Sequence, residues 1–367
     1  MFSVGKIGGG AGGGASAAAY YTTGDYYTKG ADEQGHWGGA GSGRAGLIGE
    51  VDPKDLERVI EGRLGPDQKT SWNQAEPPSD RRGGFDFTFS APKSVPIMAL
   101  VAGDNRLAGA VKEASGQAMA YLETYALSRQ RDGEGAYAFE RTGNLTYASF
   151  PESTSRALDP QLHVHNAIMN ATWSEKHQTW TALHAREMYR ALKTADRVAF
   201  AHLAQAVKAM GYKIDVDRET GRFEVVGVSA ASRDLYSKRS AEIEELSKKE
   251  GYETAAERDR AWAATRPDKV TTTADTLEER WREEGREAYA RGATDQTPED
   301  LDRVLEAAFG RAVHERAVHA REALDYGLRS ASATPQPSSN RHLPYVQRWK
   351  ALHQSVILFA PATPSGR

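Results

Sequence analysis

The chain has no cysteine in 367 residues, which excludes disulfides, thiolate catalysis and Cys-ligated zinc and suits a reducing compartment. It also has no uninterrupted apolar run approaching the length of a membrane span. Its opening, MFSVGKIGGGAGGGASAAAY, lacks the apolar core of a secretory signal. Neither charge sign is in excess: 47 basic against 50 acidic residues give a formal net charge of −3. Bulk charge therefore does not announce a nucleic-acid binder, although an acidic appendage can mask a basic cleft. The P-loop pattern GxxxxGK[ST] is absent as well. With 26% charged residues, the composition is that of a soluble protein with exposed helices, expected in the cytoplasm without membrane insertion.

What is present centres on residues 150–170, FPESTSRALDPQLHVHNAIMN. His163 and His165 lie two apart in a run that alternates like a strand, so both imidazoles face one way and can supply two nitrogen ligands to one metal. A bare His-x-His is equally compatible with ordinary surface or core histidines, so its company matters. Residues 20–27 hold two tyrosine pairs, Tyr20-Tyr21 and Tyr26-Tyr27. Such a group can be a packing cluster. It can also supply a covalent nucleophile once a phenol is deprotonated or polarised. In residues 84–89, Phe85, Phe87 and Phe89 alternate with Asp86 and Thr88. Asp86 then faces away from the phenylalanines, either as a solvent-facing acid or as a carboxylate that orients a histidine or accepts a proton.

In chain order, residues 2–7 suit a short strand, and the glycines after it suit a hinge or the start of a helix. Asp52 and Pro53 are N-cap and first-turn signals for a helix ending near Glu61. Residues 71–82 read as a loop. Helical spacing predicts one long helix over 105–131, and 135–141 with 144–150 read as a hairpin turning at Thr142-Gly143. A strand at 179–183, a helix over 185–210 and a second hairpin, 212–215 with 222–226, follow. From 229 to about 328 the pattern is helical and charged, with breaks near Pro267 and Pro298. Residues 331–367 are weakly patterned and read as an irregular or disordered tail.

Together these features resemble the relaxase domain of conjugative plasmid transfer proteins, the two-tyrosine-pair (MobF-type) class within the HUH endonucleases. The matching motifs are Tyr20-Tyr21 with Tyr26-Tyr27, GFDFTFSAPKS at 84–94 and SRALDPQLHVH at 155–165, continuing through Trp180 and the hairpin near Lys213. The resemblance covers about 1–260 well and 260–328 loosely. It implies an α+β fold: a central antiparallel sheet flanked by helices, with a C-terminal helical fingers subdomain. The expected division is 1–228 for the sheet domain, 229–330 for the fingers and 331–367 for the tail.

The resemblance implies that Tyr20 nicks one DNA strand, leaving a 5′-phosphotyrosine and a free 3′-hydroxyl, and that Tyr26 performs a second transfer, with Tyr21 and Tyr27 as helpers. Asp86 would orient a histidine and take the phenolic proton. Mg²⁺ or Mn²⁺ would place the scissile phosphate. The expected partners are single-stranded DNA at the nic site with its adjoining hairpin, relaxosome accessory proteins and a type IV coupling protein, in a donor cell. Lys93, Arg156 and Arg222 are candidate DNA contacts. One position departs from the family. Where a third histidine is usual, eleven residues before His163, stands Glu152. A carboxylate suits hard dications, so Glu152, His163 and His165 form the expected ligand set. Two other readings stay open: a non-catalytic origin- or hairpin-binding module of the same fold, and a metal-dependent hydrolase that uses water.

Overall fold

The computed structural model describes residues 1–9, 12–22, 34–64, 82–131, 135–254, 257, 260–261, 264–265 and 274–332. Tyr26, Tyr27, most of the loop expected at 71–82 and nearly all of the expected tail lie outside them. The chain divides into two units, Met1–His314 and Glu315–Arg367.

Five strands form an antiparallel sheet: β1 (Phe2–Gly8), β2 (His36–Gly38), β3 (Arg82–Ser90), β6 (Tyr147–Thr154) and β7 (Pro160–Met169). The order is β1-β3-β7-β6-β2, so the His-x-His strand is central. Two-residue alternation sends each strand into two environments. On one face Phe85, Phe87, Phe89, Val164 and Ile168 pack with Leu107, Val111 and Met119 of α5 (Arg106–Glu123) and Leu203 of α6 (Arg186–Ala209). Phe85, Phe87 and Phe89 are at most 1% exposed, and each such burial contributes about 2–3 kcal/mol. On the other face Ile7, Ala148, Phe150, Ala167 and Met169 meet α1 (Gly13–Thr22) and α3 (Pro53–Ile60).

Local chemistry explains how the second face is covered. Asp52 accepts from Lys54 N at 2.8 Å and Asp55 N at 3.4 Å, capping α3 as expected. The glycine run opens into helix α1 rather than remaining a hinge. Gly14 is required where the two helices meet, since a Cβ there would lie 2.8 Å from the Glu57 carbonyl oxygen. An alanine would push α1, and the tyrosines it carries, off the sheet.

The expected helix over 105–131 stops at Glu123, with Thr124 as its C-cap. Leu127–Arg131 is instead strand β4, paired with β5 (Tyr137–Arg141). Leu-Ser-Arg-Gln-Arg contains good helix formers, and strand pairing overrides that preference. The expected 135–150 hairpin is corrected accordingly: β5 pairs back onto β4, while β6 pairs with β7 and β2. A short helix α2 (Ala40–Arg44) follows β2, and another, α4 (Ser94–Leu100), follows β3. Strands β8 (Thr172–Ser174) and β9 (Thr179–Thr181) pair, as do β10 (Ile214–Val216) and β11 (Phe223–Val225). Beyond residue 226 the only regular elements among the described residues are helices: α7 (Ala230–Leu235), α8 (Lys238–Glu250), Ala274–Ala290 and Pro298–Ser332, among others.

Candidate active site

Register builds the site. Across the β6–β7 pair Glu152 stands opposite His163 and Phe150 opposite His165; across the β3–β7 pair Thr88 stands opposite His165. Glu152, His163, His165, Thr88 and Asp86 therefore share the face covered further along by α1. The Oε2 atom of Glu152 lies 3.2 Å from His163 Nε2 and 3.9 Å from His165 Nε2. One ligand atom from each of the three falls within 4.8 Å of the others.

The imidazoles are held from behind. His165 Nδ1 meets Asp86 Oδ2 at 2.8 Å and Thr88 Oγ1 at 2.9 Å, and Thr88 donates its hydroxyl to Asp86 Oδ1 at 3.0 Å. His163 Nδ1 lies 3.1 Å from the Gln161 carbonyl oxygen. A carboxylate or carbonyl against Nδ1 puts the proton there and leaves the Nε2 lone pair facing Glu152. Two imidazole nitrogens and one carboxylate, with exposures of 11–14%, make a donor set that fits a divalent cation.

Helix α1 carries the tyrosines to this cluster. Tyr20 lies edge-on to His165 with ring centres 6.0 Å apart, and Tyr21 does so at 5.9 Å while stacking on Phe150 at 5.1 Å. Tyr21 hydrogen-bonds to Asp86; burial first, then that carboxylate, raise its phenol far above the ordinary value. Burial also raises Tyr20, with Glu152 adding to the effect. Arg156 opposes it: the guanidinium hydrogen-bonds to Tyr20 and lies 6.0 Å from the ring centre. Tyr20 is thus the phenol beside a cation, and Tyr21 the one beside an anion.

The structure brings together Tyr20, Tyr21, Asp86, Glu152, His163, His165 and Arg156. It leaves two candidates elsewhere. Lys93 donates to the Pro160 carbonyl oxygen at 3.1 Å, and burial lowers its amine to about 8 despite Asp159 and Glu224 nearby. Arg222 is exposed beside the β10–β11 hairpin, with a guanidinium nitrogen 2.7 Å from Met1 Sδ. Sequence reasoning sets Thr88 on the same strand face as Asp86 but gives it no role, whereas its hydroxyl bridges Asp86 and His165.

It reads the strand at 135–141 but misses β4, with which that strand forms a two-stranded ribbon. Tyr137 and Phe139 are 52% and 58% exposed there. Arg129 and Arg131 lie 4.6 and 5.3 Å from the Tyr137 ring centre. A hydrogen bond from Arg131 holds the Tyr137 phenol below its ordinary value.

The family model described as TrwC relaxase matches residues 14–288. The chain belongs to the TrwC relaxase family. Among curated relatives of this relaxase, the multifunctional conjugation protein TraI of Escherichia coli is 36% identical over 231 residues, which is 60% of this chain and 13% of TraI. TraI of strain K12 is 34% identical over the same length. The chain thus spans about an eighth of the curated relatives it matches. Solved TrwC relaxases in complex with oriT DNA share the fold. A copper-bound form has a TM-score of 0.71 at 30% identity, covering 78% of this chain and 98% of that one. A metal-free form has a TM-score of 0.70 at 30% identity, covering 79% and 99%.

Proposed function

We propose that this relaxase nicks and rejoins one strand of DNA at an origin of transfer. The observation that carries the reading is Tyr20 set between Arg156 and the His163–His165–Glu152 cluster. The Tyr20 oxygen attacks the scissile phosphorus, the P–O3′ bond breaks, and the products are a 5′-phosphotyrosine and a 3′-hydroxyl. The phenolic proton passes to a carboxylate, with Asp86 the candidate, and the departing 3′-oxygen takes a proton from solvent. Arg156 stabilises the phenolate and meets the phosphate.

Glu152, His163 and His165 would hold a divalent cation, Mg²⁺ or Mn²⁺, that supplies charge neutralisation at the phosphate. Tyr26 would carry out a second transfer when the strand is resealed. The substrate is single-stranded DNA at the nic site, with the adjoining hairpin contacted by the β4–β5 ribbon. A two-stranded ribbon fits a major groove, and arginines beside exposed aromatics suit phosphate and base contacts. The work would be done in the cytoplasm of a donor cell, alongside accessory proteins and a type IV coupling protein. Among the described residues no helix is long and apolar enough to cross a membrane.

The test is incubation with labelled single strands tiling the DNA beside its own gene, with Mn²⁺ or Mg²⁺, followed by a denaturing gel. A covalent protein–DNA band is expected, lost in Tyr20→Phe and retained in Tyr26→Phe. Cleavage without any adduct would favour hydrolysis by water, and binding without cleavage would favour a recognition module.

A further inference from the structure

Arg156 sits on a short loop between β6 and β7 that is closed upon itself. The Ser155 hydroxyl accepts from Ala157 N at 3.2 Å and from Asp159 N at 3.1 Å. Ser155 N donates to the Asp159 carbonyl oxygen and Leu158 N to that of Ser155, both at 2.9 Å. Leu158 has φ +61°, a left-handed conformation that a branched side chain keeps only when its surroundings hold it.

Those surroundings are three clamps on three successive residues. The indole Nε1 of Trp281, on the helix Ala274–Ala290, donates to the Leu158 carbonyl oxygen at 2.7 Å. Lys238, first residue of α8, places Nζ 3.1 Å from Asp159 Oδ1 and 2.5 Å from Glu284 Oε1. Lys93 holds the Pro160 carbonyl oxygen. Asp159 is wholly buried and neither of its carboxylate oxygens makes a hydrogen bond among the described residues, so the ion pair with Lys238 is its close charge contact. Two of the three clamps come from the helices beyond residue 229, and the loop they hold carries the one guanidinium that touches Tyr20 among the described contacts.

We propose that the C-terminal helices act on the reaction through this loop, with Trp281 and Lys238 as positioning residues for Arg156 and thereby for Tyr20. The proposal rests on the reading of Tyr20 as nucleophile. Displacement of these helices by DNA, or their docking on it, is then transmitted to Arg156 by the backbone of residues 158–159. The region that follows the sheet thereby sets the orientation of the guanidinium as well as adding binding surface.

The experiment compares wild type, Trp281→Phe, Arg156→Gln and their double variant, using an oligonucleotide that the wild type cleaves. Trp281→Phe keeps an aromatic six-membered ring and removes the donor, leaving a small cavity because Trp281 is 2% exposed. It should slow single-turnover cleavage at saturating oligonucleotide by roughly three- to tenfold, as expected for one lost orienting hydrogen bond, with Kd unchanged and Tm lowered by the cavity. In the Arg156→Gln background the same change should slow nothing further. Lys238→Met should mimic Trp281→Phe, and Lys238→Arg should restore the rate. A wild-type rate for Trp281→Phe, or an equal slowing in both backgrounds, overturns the proposal. If Trp281→Phe loses its fold by circular dichroism, the Lys238→Met and Lys238→Arg pair decides on the same rate and Kd criteria. Tyr20→Phe runs alongside: cleavage by that variant would refute the nucleophile assignment, whereas its inactivity with a neutral Trp281→Phe would refute the positioning alone.

Discussion

Glu152→Ala removes a charge from a site where geometry lets its effects be separated. The carboxylate oxygen lies 3.2 and 3.9 Å from the two Nε2 atoms, and the side chain is only 14% exposed. A carboxylate and a cation about 4 Å apart attract by about 4 kcal/mol per unit charge at the effective dielectric of a protein surface, with part of that offset by desolvation. The net loss of cation affinity should be on the order of 3 kcal/mol, or about a hundredfold. Calorimetric titration with Mn²⁺ measures it directly, and nicking should fall in parallel with partial rescue at high Mn²⁺. The same change acts in the opposite sense on the nucleophile, since Glu152 raises the Tyr20 phenol. In metal-free protein, Glu152→Ala should therefore lower the alkaline tyrosinate transition seen by ultraviolet difference titration. Glu152→His should bind metal with a shift toward softer ions such as Ni²⁺. Parental Mn²⁺ affinity in Glu152→Ala would refute the ligand assignment, and an unmoved tyrosinate transition would refute the electrostatic coupling.

Three further outcomes are expected. Tyr137→Ala should weaken binding of hairpin-bearing oligonucleotides by about 1–3 kcal/mol, as loss of one base-stacking ring does, with the cleavage rate at saturation unchanged; fluorescence anisotropy checks it. Phe87→Ala should cost about 3–5 kcal/mol in urea unfolding, because the ring is wholly buried and packs 5.8 Å from the Tyr189 ring. Lys93 should make stability pH-dependent. Its amine is lowered from 10.5 to about 8 in the folded chain, so the unfolded chain holds more protons between those values and stability rises with pH across that window. Lys93→Met should remove a rise of at most about 3 kcal/mol, seen by comparing urea midpoints of the two proteins at pH 7.5 and 10.

Much of the site is legible in the sequence. Alternation alone put His163 with His165, and set Asp86 against the phenylalanines. Motif spacing led to Glu152, but only register shows that it stands opposite His163 on a neighbouring strand. Strand β4 is hidden because Leu127–Arg131 continues the helical spacing before it and arginine and glutamine favour helices, so β5, itself read as a strand, is paired with the residues after it instead of with those before it. Lys93 illustrates a related limit. A lysine in a polar turn looks like a phosphate contact, and only tertiary packing shows its amine spent on the Pro160 carbonyl oxygen. Residues 155–160 carry a recognisable motif, yet the clamps on them arise from positions 238 and 281, far away in sequence.

The central place of β7 has a thermodynamic consequence. Its odd-numbered residues face the ligand cluster and its neighbouring even-numbered ones the phenylalanine core, so a slip of one position would trade histidines for Val164 and Asn166. A bound dication would see only the correctly paired sheet. By mass action it would then favour that pairing over every slipped one, by about 2.7 kcal/mol at a hundred times Kd. The cofactor of the chemistry would in this way also be a proofreader of strand alignment, rewarding the single arrangement in which three strands meet in step.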